Sequence, residues 1–326
     1  MLFRDQTLGK YRVLSPLGSG GFGSVYLAQD TWLDKKVALK VPHRQNLDPG
    51  EMLKEARLLA AMDHPNIVTM LTAERIDDVF FLVLEYVAGD TLEHLILRDG
   101  AMPLARALDI TCQVCNAVDH AHRAGVLHRD LRPGNILVSD ADVVKVADFG
   151  TSRFLEIAAH GTTVIGSPPY MAPEQFHGKA VFGSDIYSLG VTMYQMLTGT
   201  LPYDTPAPAD LDRLMRGDLV TPPRLRNARI PRAINDIVLR ALAPDLAVRY
   251  SRAADLMADL LAARAPQPAR VRAGATAGVT AEDRHLRGVQ ERLKDREAPQ
   301  TARFCWHCRK PLHARTDRCP FCNEPQ

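Results

Sequence analysis

His128-Arg129-Asp130-Leu131-Arg132-Pro133-Gly134-Asn135 is followed by Asp148-Phe149-Gly150 and then by Ala172-Pro173-Glu174. Short period-2 segments at residues 136–138 and 143–147 read as strands between the first two of these motifs. On either side the pattern is helical, with helices predicted at 90–98, 104–124 (closed by Gly125), 183–198, 232–243 and 252–263. Upstream the period changes. Residues 11–17, 24–29 and 36–41 alternate as strands between glycine-rich and polar turns, and 79–86 reads as another strand. A helix over 51–62 lies between them, and Val87-Ala88-Gly89-Asp90 reads as a flexible joint. The prediction is an α+β protein in which a small β-rich lobe precedes a larger helical one. A cleft between two lobes is where a small ligand usually binds.

Two features of the small lobe carry chemistry. Gly18, Gly20 and Gly23 form Gly-x-Gly-x-x-Gly ahead of Val25, between strands rather than at the start of a helix, so the dinucleotide-binding reading does not apply. Glycine there lets backbone N–H groups approach phosphate oxygens closely. In Val37-Ala38-Leu39-Lys40, the lysine falls on the face opposite Val37 and Leu39. In the helix that follows, Glu55 shares a stripe with Met52, Leu59 and Met62. An acid on an apolar stripe needs a cationic partner, so a Lys40–Glu55 pair is expected, aiming the ammonium at phosphate.

Glycine loop, Val-Ala-x-Lys, His-Arg-Asp with its downstream Asn, Asp-Phe-Gly and Ala-Pro-Glu stand here in one order, and together they resemble the protein-kinase family. The resemblance covers residues 8–263, with a small lobe over 8–87 and a large lobe over 88–263. Val83-Leu84-Glu85-Tyr86-Val87-Ala88-Gly89, Gly166-Ser167-Pro168-Pro169-Tyr170-Met171 and Ser184-Asp185-Ile186-Tyr187-Ser188-Leu189-Gly190 are similar to the bacterial, eukaryotic-like Ser/Thr branch. It implies a bilobal kinase fold, ATP and Mg²⁺ (or Mn²⁺) as cofactors and protein substrates. The glycine loop from Leu17 through Gly23 would cover the phosphates, with Lys40, held by Glu55, on the α- and β-phosphates. Asn135 and Asp148 would hold the metal, and Asp130 would orient and deprotonate the acceptor hydroxyl. Val25, Ala38 and Leu84 would line the adenine slot, with backbone groups of Glu85 and Val87 as its hydrogen-bond partners. Glu174 would pair with Arg249, and Asp185 would brace the loop around His128.

One position departs from the family pattern. Arg132 stands where Ser/Thr kinases usually carry lysine, which keeps the charge near the transferred phosphoryl but changes the geometry. The family also implies that Arg129 can grip a phosphorylated activation loop. Thr162 and Thr163 are the candidate phosphorylation sites in that loop.

Cys305-Trp306-His307-Cys308 and Cys319-Pro320-Phe321-Cys322 form two Cys-x-x-Cys pairs separated by ten residues. That spacing reads as a tetrahedral Cys₄ structural zinc site over residues 301–326, and the segment resembles the zinc-ribbon family. A piece this short buries too little apolar surface to fold alone. Its expected contact is with protein, ahead of nucleic acid. Residues 264–300 read as a linker, with a charged, solvated helix possible over 282–297. Cys112 and Cys115 form a third Cys-x-x-Cys, read as helix packing. His120 and His122 are two apart, so they face different ways on that helix.

The totals exclude other classes. Among 326 residues, 46% are hydrophobic and 24% charged, an ordinary globular composition. A net charge of +2 does not argue for nucleic acid or a membrane surface as the main partner. No apolar run approaches the ~18 residues of a bilayer span, and the N-terminus lacks a secretion signal, so a cytoplasmic location is expected. Two other functions fit the chain less well: a catalytically inactive kinase-like scaffold, and an adaptor whose zinc module binds nucleic acid. Intact Lys40, Glu55, Asp130, Asn135 and Asp148 favour the enzyme.

Overall fold

The computed structural model describes residues 2–20, 23–43, 49–149, 167–204, 210–264, 303–304 and 311–312, by backbone alone at 49–52, 54, 55, 303–304 and 311–312. Contacts divide the chain into two units, Met1–Gln267 and Pro268–Gln326.

The first unit begins with strands β1 (Thr7–Leu8), β2 (Tyr11–Ser19), β3 (Gly23–Asp30) and β4 (Lys35–Pro42). Helix α1 (Pro49–Ala60) and strands β5 (Met70–Ile76) and β6 (Val79–Glu85) complete the small lobe. All pairs are antiparallel, in the spatial order β1-β2-β3-β4-β6-β5. Side-chain alternation gives the sheet two apolar faces. Tyr11, Val13, Tyr26, Ala28, Val37, Leu39, Phe81 and Val83 fill one. On the other, Phe80 and Leu82 pack with Ala56 of α1. Lys40 is opposite Leu82, and Ala38 opposite Leu84, which places both on the face that carries α1.

Strand β5 was not expected from sequence. Its register breaks between Met70 and Thr72, and only half-buried and exposed residues compose it. An edge strand of mixed polarity gives no clean period-2 signal.

After β7 (Gly89–Thr91) the chain turns helical, with α2 (Leu92–Asp99) and α3 (Leu104–Arg123). The Thr91 hydroxyl accepts from the His94 amide at 3.1 Å and caps the start of α2. Strands β8 (Ile136–Ser139) and β9 (Val144–Val146) join β7 in a three-stranded sheet. Then follow α4 (Phe182–Thr198), α5 (Leu211–Arg216), α6 (Pro223–Arg226), α7 (Arg232–Ala241) and α8 (Ala253–Arg264). Helix α4 is buried over nearly its whole circumference, as a central helix of a large lobe should be. Helices α3 and α7 pack against it, and α8 packs against α3 and α7, in one continuous core. Cys115 is fully buried in that core and Cys112 packs against it. The short helices α5 and α6 carry too few residues to show a helical period, so sequence patterning missed them.

Little of the second unit is described. Strands β10 (Arg303–Phe304) and β11 (Pro311–Leu312) pair antiparallel. The zinc-ligand candidates Cys305, Cys308, Cys319 and Cys322 lie outside the described residues, as does the segment 282–297.

Candidate active site

Lys40 is 5% exposed on β4, because the neighbours on its face are apolar. A buried ammonium requires a partner. It has one: Nζ donates to Asp148 Oδ1 at 2.8 Å. The expected partner Glu55 sits on α1, adjacent to Ala56, but its side chain lies outside the described residues. Burial alone would raise the Asp148 pKa. The Lys40 charge and hydrogen bond, with the nearby His128 and Arg132, outweigh it and hold the carboxyl below its usual range.

Asp148 and Arg129 both adopt left-handed backbone, with φ of 64° and 66°. Such strain at two non-glycine residues persists only where the surroundings fix it, and here they do. The Asp185 carboxylate, buried on α4, accepts from the His128 and Arg129 amides at 2.8 and 2.7 Å. It also accepts from His122 Nε2 at 2.8 Å. Burial would again raise the pKa, but His122, His128 and these donors lower it instead. His128 Nε2 donates to the Ala147 carbonyl at 2.9 Å, and its ring packs at a 59° tilt against the buried Phe149, with centroids 4.7 Å apart. The loop containing Asp130 and the turn containing Asp148 are therefore fastened to each other through one histidine.

The Ala147 amide also donates to the Asn135 carbonyl at 2.9 Å. Asn135 Nδ2 donates to the Asp130 carbonyl at 2.8 Å and to Asp130 Oδ2 at 3.2 Å. The other carboxylate oxygen, Oδ1, accepts from the Ser167 amide at 3.0 Å. With its amide nitrogen committed, Asn135 keeps Oδ1 as a hard oxygen donor close to the Asp148 turn. One amide oxygen and one carboxylate are the donor chemistry that suits Mg²⁺.

Leu17 is exposed at the end of β2, and Val25, Ala38 and Leu84 lie on β3, β4 and β6. Gly23 allows β3 to reach β4, since a Cβ there would overlap the Val41 carbonyl oxygen. Gly20 N–H donates to Gly23 O at 3.0 Å, which closes the turn between the strands. Gly18 is opposite Val25 in the ladder. Glu85 and Val87 sit at the end of β6 and just beyond it. Thr162 and Thr163 lie outside the described residues, as does Gly150.

Sequence reasoning missed several contacts at the rim. Lys145 on β9 donates to Glu85 Oε1 at 2.6 Å, and the Thr69 amide donates to the same oxygen at 2.7 Å. This ties the end of β6 to the large lobe. Arg132 reaches toward two carboxylates, Asp130 and Glu93. Tyr170 donates to Gln195 at 2.7 Å, and burial, reinforced by Glu93 and opposed by Arg132, pushes its pKa up to about 12. No spacing rule links Lys145 to Glu85 or Arg132 to Glu93, because tertiary folding alone brings them together. The structural braces are as expected. Arg249 holds Glu174 through two nitrogens, at 2.7 and 3.2 Å. His120 stacks on His64 while His122 binds Asp185, on different sides of α3.

In this two-lobed fold Lys40 pairs with Asp148 and Asn135 with Asp130, which brings together the residue types that phosphoryl transfer requires. The chain belongs to the protein kinase family: the protein kinase domain family matches residues 11–265. The serine/threonine-protein kinase PrkC of Bacillus subtilis is 36% identical over 268 residues, covering 80% of this chain and 41% of PrkC. PknB of Mycobacterium leprae, also a serine/threonine-protein kinase, is 37% identical over 273 residues, covering 79% of this chain and 44% of PknB. The chain thus spans about two fifths of the length of these curated relatives. Among solved structures, Rad53 1-466 in complex with AMP-PNP aligns with a TM-score of 0.66 at 26% identity, over 76% of this chain and 64% of that one.

Proposed function

We propose that this chain is an ATP- and Mg²⁺-dependent protein serine/threonine kinase. The observation that carries the reading is the linkage of Lys40, Asp148, Asn135 and Asp130 through Ala147 and His128. Phosphoryl transfer demands positioning and charge neutralisation more than covalent chemistry. Lys40 would hold the α- and β-phosphates under the Gly18–Gly20–Gly23 turn, and Asp148 and Asn135 would hold the cation. Bound there, Mg²⁺ supplies neutralisation of charge on the phosphate oxygens. Asp130, its carboxylate oriented by Asn135 and the Ser167 amide, accepts the proton of the acceptor hydroxyl. Leu17, Val25, Ala38 and Leu84 would flank the adenine, with the backbone of Glu85 and Val87 as its partners. Protein substrates and a cytoplasmic setting go with this reading, as does autophosphorylation at Thr162 or Thr163.

The second unit is proposed to be a Cys₄ zinc module that contacts protein. In support, strands β10 and β11, which pair antiparallel, flank Cys305 and Cys308 in the sequence. Incubation with labelled ATP and Mg²⁺, followed by phosphopeptide mapping, tests the enzymatic reading. Phosphate on serine or threonine, including Thr162 or Thr163, is the expected result. Phosphotyrosine alone, or no transfer at all, would defeat it.

A further inference from the structure

Arg132 follows Asp130 by two residues, and its guanidinium spans two acids. Nε lies 3.6 Å from Asp130 Oδ2, and Nη1 lies 3.6 Å from Glu93 Oε1. Both separations allow Coulomb attraction but exceed a hydrogen bond. Nε is buried and has no hydrogen-bond partner among the described residues. The arginine is thus tethered between two carboxylates without being committed to either. This matters because a direct Arg132–Asp130 hydrogen bond would occupy the oxygen that must take the substrate proton.

What prevents the collapse is visible in two neighbours. Glu93, in the first turn of α2, pulls the far end of the guanidinium away from Asp130. Gly134 vacates the space that Arg132 occupies: a Cβ there would overlap Nη1, reach Cζ at 3.0 Å and Glu93 Oε2 at 3.2 Å. A lysine, with one compact ammonium on a flexible stem, needs neither the opposing acid nor the gap.

We propose that Glu93 and Gly134 are positioning residues that hold Arg132 off Asp130 and aim its buried Nε at the phosphoryl group in flight. The proposal rests on the kinase reading above, and it assigns to Arg132 a geometry set by Gly134, a residue within the His128–Asn135 motif that carries no catalytic role, and by Glu93, outside the kinase motifs.

The test is a set of variants of the full chain, Glu93→Gln, Gly134→Ala and Arg132→Lys, with both double variants on Arg132→Lys. The Glu93 side chain is 41% accessible to solvent and the overlap at Gly134 falls on the far end of a flexible side chain, so melting temperatures should stay near wild type. Misplacing the guanidinium should lower kcat roughly ten- to hundredfold in Glu93→Gln and Gly134→Ala, with the KM for ATP unchanged within about twofold. On the Arg132→Lys background the same substitutions should change kcat less than about twofold, because contacting residues are coupled and their effects do not add. A second reading needs no activity. The Arg132 Nε–H resonance in ¹⁵N-labelled protein, assigned by its loss in Arg132→Lys, should move in both single variants. Unmoved resonances, or losses that persist in full without the arginine, overturn the proposal. An inactive wild type whose resonance does move would instead count against the kinase reading and leave the positioning intact.

Discussion

Asp185 shows how a single buried carboxylate can set the geometry of a distant reacting group. Its two oxygens hold the amides of His128 and Arg129 and the ring of His122. These donors place Arg129 in left-handed backbone and so fix the direction in which Asp130 leaves the loop. Asp185→Asn removes the charge and replaces one accepting oxygen by an NH₂ donor facing buried donors, which should cost about 3 kcal/mol, measured by urea denaturation at pH 7. The pH dependence has a definite sign. The folded-state pKa of Asp185 lies below its ordinary value, so its stabilisation is complete above the usual carboxylate range. It is lost as pH falls through the lowered folded value. Asp148, lowered by Lys40, acts in the same direction. Melting temperatures scanned from pH 7 downward should fall less steeply in Asp185→Asn than in wild type. Parallel curves would refute this account of Asp185. At this scale the sequence was most informative about residues inside contiguous motifs, such as Asp130, Asn135 and Asp148. It was silent on Lys145, Glu93 and His122, whose partners are brought near only by the fold.

Elements follow from the pattern where one face is buried and the other is not. Strand β4 alternates strictly, so its two faces were legible: Val37 and Leu39 join one core, and Ala38 and Lys40 face α1. Strand β5 was illegible for the opposite reason, since it lies at the edge of its sheet and carries polar residues among half-buried ones. The junction of β3 with β4 depends on Gly23, where any side chain meets the Val41 carbonyl. Backbone cannot yield as a side chain tip can. Gly23→Ala should therefore shift the glycine turn and raise the KM for ATP by about tenfold or more. An unchanged KM would show that the turn is not positioned by this contact. In the large lobe, Arg249 ties the segment after Pro173 to α4 and to the loop before itself. It donates to Glu174 and to the carbonyls of Gly183, Ala243 and Pro244. Arg249→Leu strands the Glu174 carboxylate, and a loss of about 3 kcal/mol or more in chemical denaturation is expected. A loss below about 1 kcal/mol would mean that the pair is solvated and replaceable.

At the scale of the whole molecule, contacts separate Met1–Gln267 from Pro268–Gln326, and the kinase family match ends at residue 265. The change of composition after Ala263, from apolar helix to proline and arginine, shows this division in the sequence itself. The zinc module is legible only as a spacing of cysteines. Metal analysis should find about one Zn²⁺ per chain, and Cys305→Ser with Cys319→Ser should remove it. A metal-free chain with reduced thiols would end that proposal. The account as a whole stands on Asp130 being the proton acceptor of a nucleotide phosphotransferase, with Lys40 and Asp148 serving the nucleotide. The most direct test compares wild type and Asp130→Ala in ATP affinity and in transfer of labelled phosphate to an acceptor protein. The expected result is affinity retained within about threefold and transfer reduced at least ~10²-fold. Equal transfer by the two proteins, or loss of ATP binding together with activity, would contradict it.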